Sequence, residues 1–425
     1  MKRSLFARLS AMMFLEFFVW GAWYTTVAVF MSNNGMEDMT HWPFTVNPIA
    51  AIAAPFFVGL IADRYFATEK VLGTLHVLGA GFMFLTPYAV GAPVAFVLLL
   101  LAYNLCFMPT MSLANTLCFH NLTDQEKQFP TIRVFGTVGW IVAGLVVSFG
   151  LGAFVAEGLK PEQTALPLFL TAGTSLALGL YSFTLPHTPP PARGESVSIN
   201  SIAGIDALKK LGSPSFYVFL TSSLLICIPL AAYYNFTQIY LGNAGFENIA
   251  AIQTIGQVSE TLFMLLIPVF FVRLGVKWML GVGMLAWVAR YALFAMGAPE
   301  TVTWMIIGGI ALHGICYDFF FVTGQIYVDK KSTPAIRGQA QGLIVLITYG
   351  VGMLIGAQVA GQVYNSFLTN ADALTMNQWY DFWWIPATFA AAVLVFFLLF
   401  FNDQVEPEEE AAEALAGVPD VEAVS

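Results

Sequence analysis

The stretch from Thr303 to Val328, TWMIIGGIALHGICYDFFFVTGQIYV, has 26 residues and one charge, Asp318, near its middle. That length crosses the roughly 30 Å hydrocarbon core of a bilayer with some tilt. A lone carboxylate at such depth costs several kcal/mol unless it meets a partner, a cavity or a substrate path. Asp318 is therefore read as a working residue, against the alternative of a structural carboxylate tied to a neighbouring helix. His313 and Tyr317, four apart, share one helical face, while Asp318 and Gln325, seven apart, share the adjoining one.

Eleven more apolar runs accompany it. The first follows the short basic leader Met1 to Arg8 and reaches about Met31 without a small-residue cleavage site, so it is read as helix 1, not as a removed signal. Others lie near 42–62, 71–89, 93–117, 130–151 and 165–185, then near 214–240, 248–272, 277–296, 337–364 and 377–401. The chain is 58% hydrophobic and 10% charged, where soluble domains carry roughly 25% charge. It is an all-α polytopic membrane protein. Its four cysteines, Cys106, Cys118, Cys227 and Cys316, all sit inside apolar runs and read as packing residues.

Between the sixth and seventh runs lies a polar, Pro-rich segment, and after Asp403 an acidic one. The expected organisation is a first bundle over 1–185, a linker over 186–213, a second bundle over 214–402 and a solvated, disordered tail over 403–425. The tail holds eight carboxylates and no Lys or Arg, so most of the net charge of −9 belongs to it. Of 17 Lys and Arg, 14 fall at the N-terminus, in the linker or in the 2–3, 4–5, 8–9 and 10–11 connections; only Lys160 falls on the other side. Excess positive charge marks the cytoplasmic face, so both termini are expected there.

Two sets of six helices around a cytoplasmic linker is the plan of the major facilitator superfamily. Gly59-Leu-Ile-Ala-Asp63-Arg64-Tyr65, with Lys70 after it, resembles that superfamily's signature between helices 2 and 3, with a worn echo at Arg273-Leu-Gly275-Val-Lys277. The resemblance makes Gly59, Asp63 and Arg64 gating residues. The competing account is an ordinary positively charged turn.

Polar residues recur on single faces of otherwise apolar helices. Helix 1 has Glu16, Trp20 and Trp23; helix 4 has Asn104, Met108 and Asn115; helix 5 has Arg133, Thr137 and Trp140; helix 8 has Gln253, Gln257 and Glu260. Under the superfamily plan helices 1, 4, 5, 8 and 10 line the central cavity. Bland accounts exist for several. Trp20 and Trp23 fit interfacial anchors, Gln253 and Asn115 fit interhelical hydrogen bonds, and Arg290 fits a structural partner for a nearby acid.

The strings Phe17-Phe-Val-Trp20-Gly-Ala-Trp23-Tyr-Thr-Thr26, Phe129-Pro-Thr-Ile-Arg133-Val-Phe-Gly136-Thr137-Val-Gly139, Gln257-Val-Ser-Glu260-Thr-Leu-Phe and Asp318-Phe-Phe, with Ser332-Thr-Pro334-Ala-Ile-Arg337 downstream, closely resemble the bacterial nucleoside:proton symporters. The resemblance runs from about Leu9 to Phe401. It implies import of nucleosides with protons by alternating access. It also implies a substrate site of Arg133, Thr137, Trp140, Gln257, Glu260, His313, Tyr317 and Asp318, with Asp318 and Glu260 carrying the proton. Departures occur in the wall: Ala231 and Tyr234 stand where the family has a glutamine and an asparagine on helix 7, with Asn235 and Gln238 as candidate stand-ins. His313 replaces a tyrosine, Tyr317 a phenylalanine and Glu16 a glutamine.

A nucleoside suits these residue types. It is neutral, needs no cluster of cations, offers a flat face for Trp140 or Tyr317 and asks for donors and acceptors at the ribose. Desolvation within an apolar helix suits a carboxyl to proton carriage. No GxxxxGK[ST] loop is present for ATP drive, and no HExxH or GxSxG for a membrane enzyme. No catalytic residue, cofactor, metal or nucleic-acid partner is expected. The partners are nucleoside, protons and the lipid bilayer, and the chain is read as a monomer of the bacterial inner membrane. A symporter of another small polar solute, and a non-transporting sensor or channel, remain the alternatives.

Overall fold

The structure is a computed structural model and describes residues 3–58, 65–190, 203–333, 336–368 and 373–402. Every regular element among them is helical. Gly59, Asp63 and Arg64, expected at the gate, and the tail from Asp403 lie outside the described residues.

The first half contains α1 (Arg3–Tyr24), α2 (Val27–Ser32), α3 (Trp42–Phe57), α4 (Thr68–Leu85), α5 (Pro93–Asn121), α6 (Gln125–Leu145) and α7 (Leu166–Ser182). A short linker helix, α8 (Ile205–Leu211), packs against α14 (Arg337–Val345). The second half contains α9 (Pro214–Asn243), α10 (Ile249–Gly297), α11 (Thr303–Ala311), α12 (His313–Tyr317), α13 (Thr323–Lys331), α14, α15 (Met353–Phe367) and α16 (Met376–Phe400). Single π-helical turns join α12 to α13 (Asp318–Val322) and α14 to α15 (Leu346–Gly352). Such turns often mark functional positions, because they re-aim the side chains around them.

Among the described residues nine helical spans are long and apolar enough to cross a bilayer. One, α10, has 49 residues and would be about 74 Å long if straight. It is two passes, broken at Gly275, whose φ of 66° and ψ of 176° belong to a region open only to glycine. The apolar α7 is shorter, and α3 stops where the described residues do. With α10 counted twice, helix occupies all twelve expected positions. Helix 1, read from the sequence as one run, is divided into α1 and α2.

Within the first half α1 packs on α6 and α7, α4 on α5 and α7, and α3 on α5; in the second α9 packs on α15 and α16, and α10 on α11, α12 and α16. The halves meet where α6 touches α10, α3 touches α15 and α2 touches α9. Small residues allow the closest approaches. A Cβ at Gly139 of α6 would lie 2.1 Å from the Phe14 carbonyl oxygen of α1, and one at Gly314 of α12 would lie 2.4 Å from the Ser259 carbonyl oxygen of α10. These two contacts fix the helices that carry Arg133, Thr137 and Trp140 on one side and Glu260 and His313 on the other.

Candidate functional site

A cavity of about 910 Å³ lies between the halves. Arg133, Thr137 and Trp140 of α6 form one wall; Gln257 and Glu260 of α10 and His313 and Tyr317 of α12 form the facing one. Seven of the eight residues expected to bind substrate therefore line one space. Their spacing explains it: steps of three and four keep side chains on one helical face.

Asp318 stands apart. It follows Tyr317 in the chain, a helical step of about 100° away, and it does not line the cavity. Its side chain is 0% exposed, and neither carboxyl oxygen meets a hydrogen-bond partner among the described residues. The hydroxyl of Thr323, one π turn on, reaches only its backbone carbonyl, at 3.5 Å.

The aromatic part of the cavity is an open box. Trp20 and Trp140 meet edge to face at 5.3 Å between ring centres, and Tyr24 lies 6.2 Å from Trp140 and 5.8 Å from Tyr234. Trp20 is thus a wall residue, not an interfacial anchor, while Trp23 turns away to pack on Tyr103. The polar part centres on Glu260, whose Oε2 is 3.9 Å from His313 Nε2. His313 stacks on Tyr233 at 5.3 Å, and its Nδ1 has no hydrogen-bond partner among the described residues. Gln257 Oε1 is likewise buried without one. The Tyr317 and Tyr349 hydroxyls meet each other, and the Arg133 guanidinium lies 4.1 Å over the Phe17 ring. A planar solute can stack in the box while its polar edge reaches unspent donors and acceptors.

Several residues fall elsewhere than the sequence suggests. Glu16 leaves the face of Trp20 and is enclosed among first-half helices, bonded to His76 and Thr110. Asn104 is spent on Asn47, which itself lines the cavity. On α9 only Tyr234 reaches the cavity; Ala231 is in the core, Asn235 Nδ2 donates to the Ala357 carbonyl, and Gln238 bonds the backbone of helix 1. Among the described residues Arg290 meets no acid. Its Nε donates to the Gly309 carbonyl at 3.0 Å and its guanidinium lies 4.1 Å over the Tyr233 ring. Tyr24, Tyr349 and Met353 line the cavity without having been singled out. Tyr24 continues the four-residue step from Trp20, a signal present in the sequence.

The cavity reaches Val58 at the end of α3 and Gly338 and Gln339 at the start of α14. The opposite end is sealed by bonds between the halves. Gln358 Nε2 donates to Thr45 Oγ1 at 2.7 Å, Asn365 Nδ2 to the Asp38 carbonyl at 2.8 Å, and the Tyr364 hydroxyl to the Glu37 carboxylate. Glu162 Oε1 accepts from Ser148 at 2.7 Å and from the Ala250 amide, capping the start of α10. His41 is wedged against Gly361, where no Cβ would fit.

The nucleoside H+ symporter family model matches residues 2–406. YegT of Escherichia coli (strain K12) is 40% identical over 407 residues, covering 93% of this chain and 94% of that protein. Nucleoside permease NupG of the same organism is 30% identical over 412 residues, covering 93% and 95%. A crystal structure of nucleoside transporter NupG superposes with a TM-score of 0.82 at 29% identity, covering 94% of this chain and all of that one. The fold is that of the major facilitator superfamily, and the chain belongs to the nucleoside H+ symporter family.

Proposed function

We propose that this proton-coupled nucleoside importer binds its substrate in the cavity between α6 and α10–α12, with the base in the Trp20, Tyr24, Trp140 and Tyr234 box. The observation that carries the reading is the convergence of Arg133, Thr137, Trp140, Gln257, Glu260, His313 and Tyr317 on one space. Stacking supplies base affinity with little sequence of donors to match, and Gln257, Glu260, His313 and Arg133 hold the hydroxyls and base edge. Asp318 holds the coupling proton: its carboxyl is enclosed and meets no hydrogen-bond partner among the described residues, so exchange of a proton requires a change of surroundings. Glu260, beside His313 and one helical turn from Gln257, passes that change to the ligand.

The excess of Lys and Arg near the end reached by the cavity makes that end cytoplasmic and this conformation inward-facing, with both termini on the cytoplasmic side of the bacterial inner membrane. The chain works as a monomer in lipid. Uptake of labelled nucleoside into proteoliposomes tests the whole reading. An inward proton gradient should concentrate it, and counterflow should persist without the gradient. Absence of both with any nucleoside would remove the assignment.

A further inference from the structure

Helix 1 is interrupted between Tyr24 and Val27, and Thr26 has a non-helical φ of −133° and ψ of −18°. In an unbroken helix the Ala28 amide would bond the Tyr24 carbonyl, and the Val29 amide the Thr25 carbonyl. Neither bond is made. The Gln238 carboxamide, from α9 of the other half, stands in the gap: Oε1 accepts from Ala28 N at 3.0 Å and Val29 N at 3.5 Å, while Nε2 donates to the Tyr24 carbonyl at 3.2 Å. Gln253 Nε2, from α10, takes the Thr25 carbonyl at 3.0 Å. The hydroxyls of Thr25 and Thr26 turn back to the Gly21 and Trp23 carbonyls, a pattern that bends helices. A side-chain amide has thus replaced a peptide group in the ladder of a helix on the opposite half.

Backbone groups at membrane depth must be satisfied in every state of the cycle. When the halves separate at the sealed end, both glutamines leave, and the freed groups of Tyr24, Thr25, Ala28 and Val29 can satisfy each other only by closing the helix. We propose that Gln238 is a positioning residue of transport: it holds helix 1 broken while the sealed end is shut, and α1 and α2 rewind into one helix when that end opens. The two arrangements satisfy the same backbone groups, so small differences in ligand contact decide between them. The ligand has access to the switch. Gln238 Nε2 also donates to the Tyr234 carbonyl at 3.3 Å, so one amide holds the backbones of Tyr24 and Tyr234, whose rings line the cavity. This last step rests on the cavity being the nucleoside site; the rewinding does not.

Spin labels at Ser32 on α2 and Asn243 on α9 read the sealed end without ligand. Gln238→Leu should raise the ratio of long to short distances by about tenfold, as expected for losing one to two net hydrogen bonds. It should also slow hydrogen exchange at the Ala28 amide, because a closed helix protects that group. A purely structural glutamine would lower thermal stability, leave the distance ratio unchanged and speed that exchange, because the Ala28 amide would lose its acceptor and gain none. That result overturns the proposal. Should Gln238→Leu not fold, the double change Thr25→Ala, Thr26→Ala removes the hydroxyls that divert the carbonyls. It should shift the ratio in the same direction, and an unchanged ratio overturns the proposal equally. Failure of the parent to bind any nucleoside would strike the reading of the cavity and leave these outcomes intact.

Discussion

Glu16 of α1 and His76 of α4 are joined at 2.9 Å, with side chains 0% and 1% exposed. Thr110 of α5 donates to the other carboxyl oxygen at 2.5 Å, and Ser175 of α7 pairs with His76 Nδ1 at 3.1 Å. Four helices of the first half therefore share one enclosed network. The Ser175 hydroxyl also donates to the His76 carbonyl, at 3.1 Å. Glu16→Gln should be nearly neutral for stability, since the amide donates to Nε2 and accepts from Thr110. Glu16→Ala should cost about 1–3 kcal/mol for the orphaned groups. His76→Leu, which strands a carboxyl, should cost about 3–5 kcal/mol. Denaturation in detergent checks the order; equal losses for Gln and Ala would dissolve the network argument.

For recognition, Trp140→Ala should weaken nucleoside binding by about 1–3 kcal/mol through lost stacking. Gln257→Ala should weaken it through its buried, unspent Oε1. Tyr234→Gln should reorder the ranking of nucleosides in competition, because Tyr234 is the one α9 residue on the cavity. Competition against one labelled nucleoside reads all three. Unchanged affinity in a folded variant would return that residue to packing.

The sealed end should respond to acid through His41, in the connection ahead of α3. Burial pushes its imidazole down to about 4 from the usual 6.5, against a smaller upward pull from Asp38. The folded, sealed form therefore favours neutral His41. Its contribution is fully present above about pH 6.5 and is lost as pH falls towards 4. Distances across the sealed end should lengthen over that window in the parent and stay constant in His41→Phe. A parent profile flat from pH 7 to 4 would show that His41 carries no charge-dependent part of the seal.

The twelve helical positions and the Arg133, Thr137, Trp140 face were legible because both follow from spacing along one element. What escaped depends on other elements. The break in helix 1 falls at Thr25 and Thr26 within an otherwise apolar stretch and is held open by Gln238 and Gln253, far off in the chain. Glu16 shares spacing with Trp20, yet helix 1 is surrounded by protein, so a polar face need not be a cavity face. Arg290 looked like one half of an ion pair, but a carbonyl and an aromatic face accommodate it instead.

Asp318 carries the last prediction. Its carboxyl is enclosed, without a hydrogen-bond partner among the described residues and off the cavity wall, one residue from Tyr317, which is on it. A group so placed can sense the helix that holds the ligand without touching the ligand. Asp318→Asn preserves shape and imitates the protonated acid permanently. Binding and counterflow should therefore survive, while concentration of nucleoside by a proton gradient should not. At one proton per nucleoside, a one-unit pH gradient supports about tenfold accumulation in the parent, since 1.4 kcal/mol is a factor of ten. The variant should stop at equal concentrations on the two sides. Tenfold accumulation by Asp318→Asn would transfer the carrier role to Glu260, and Glu260→Gln would then have to lose accumulation in its place.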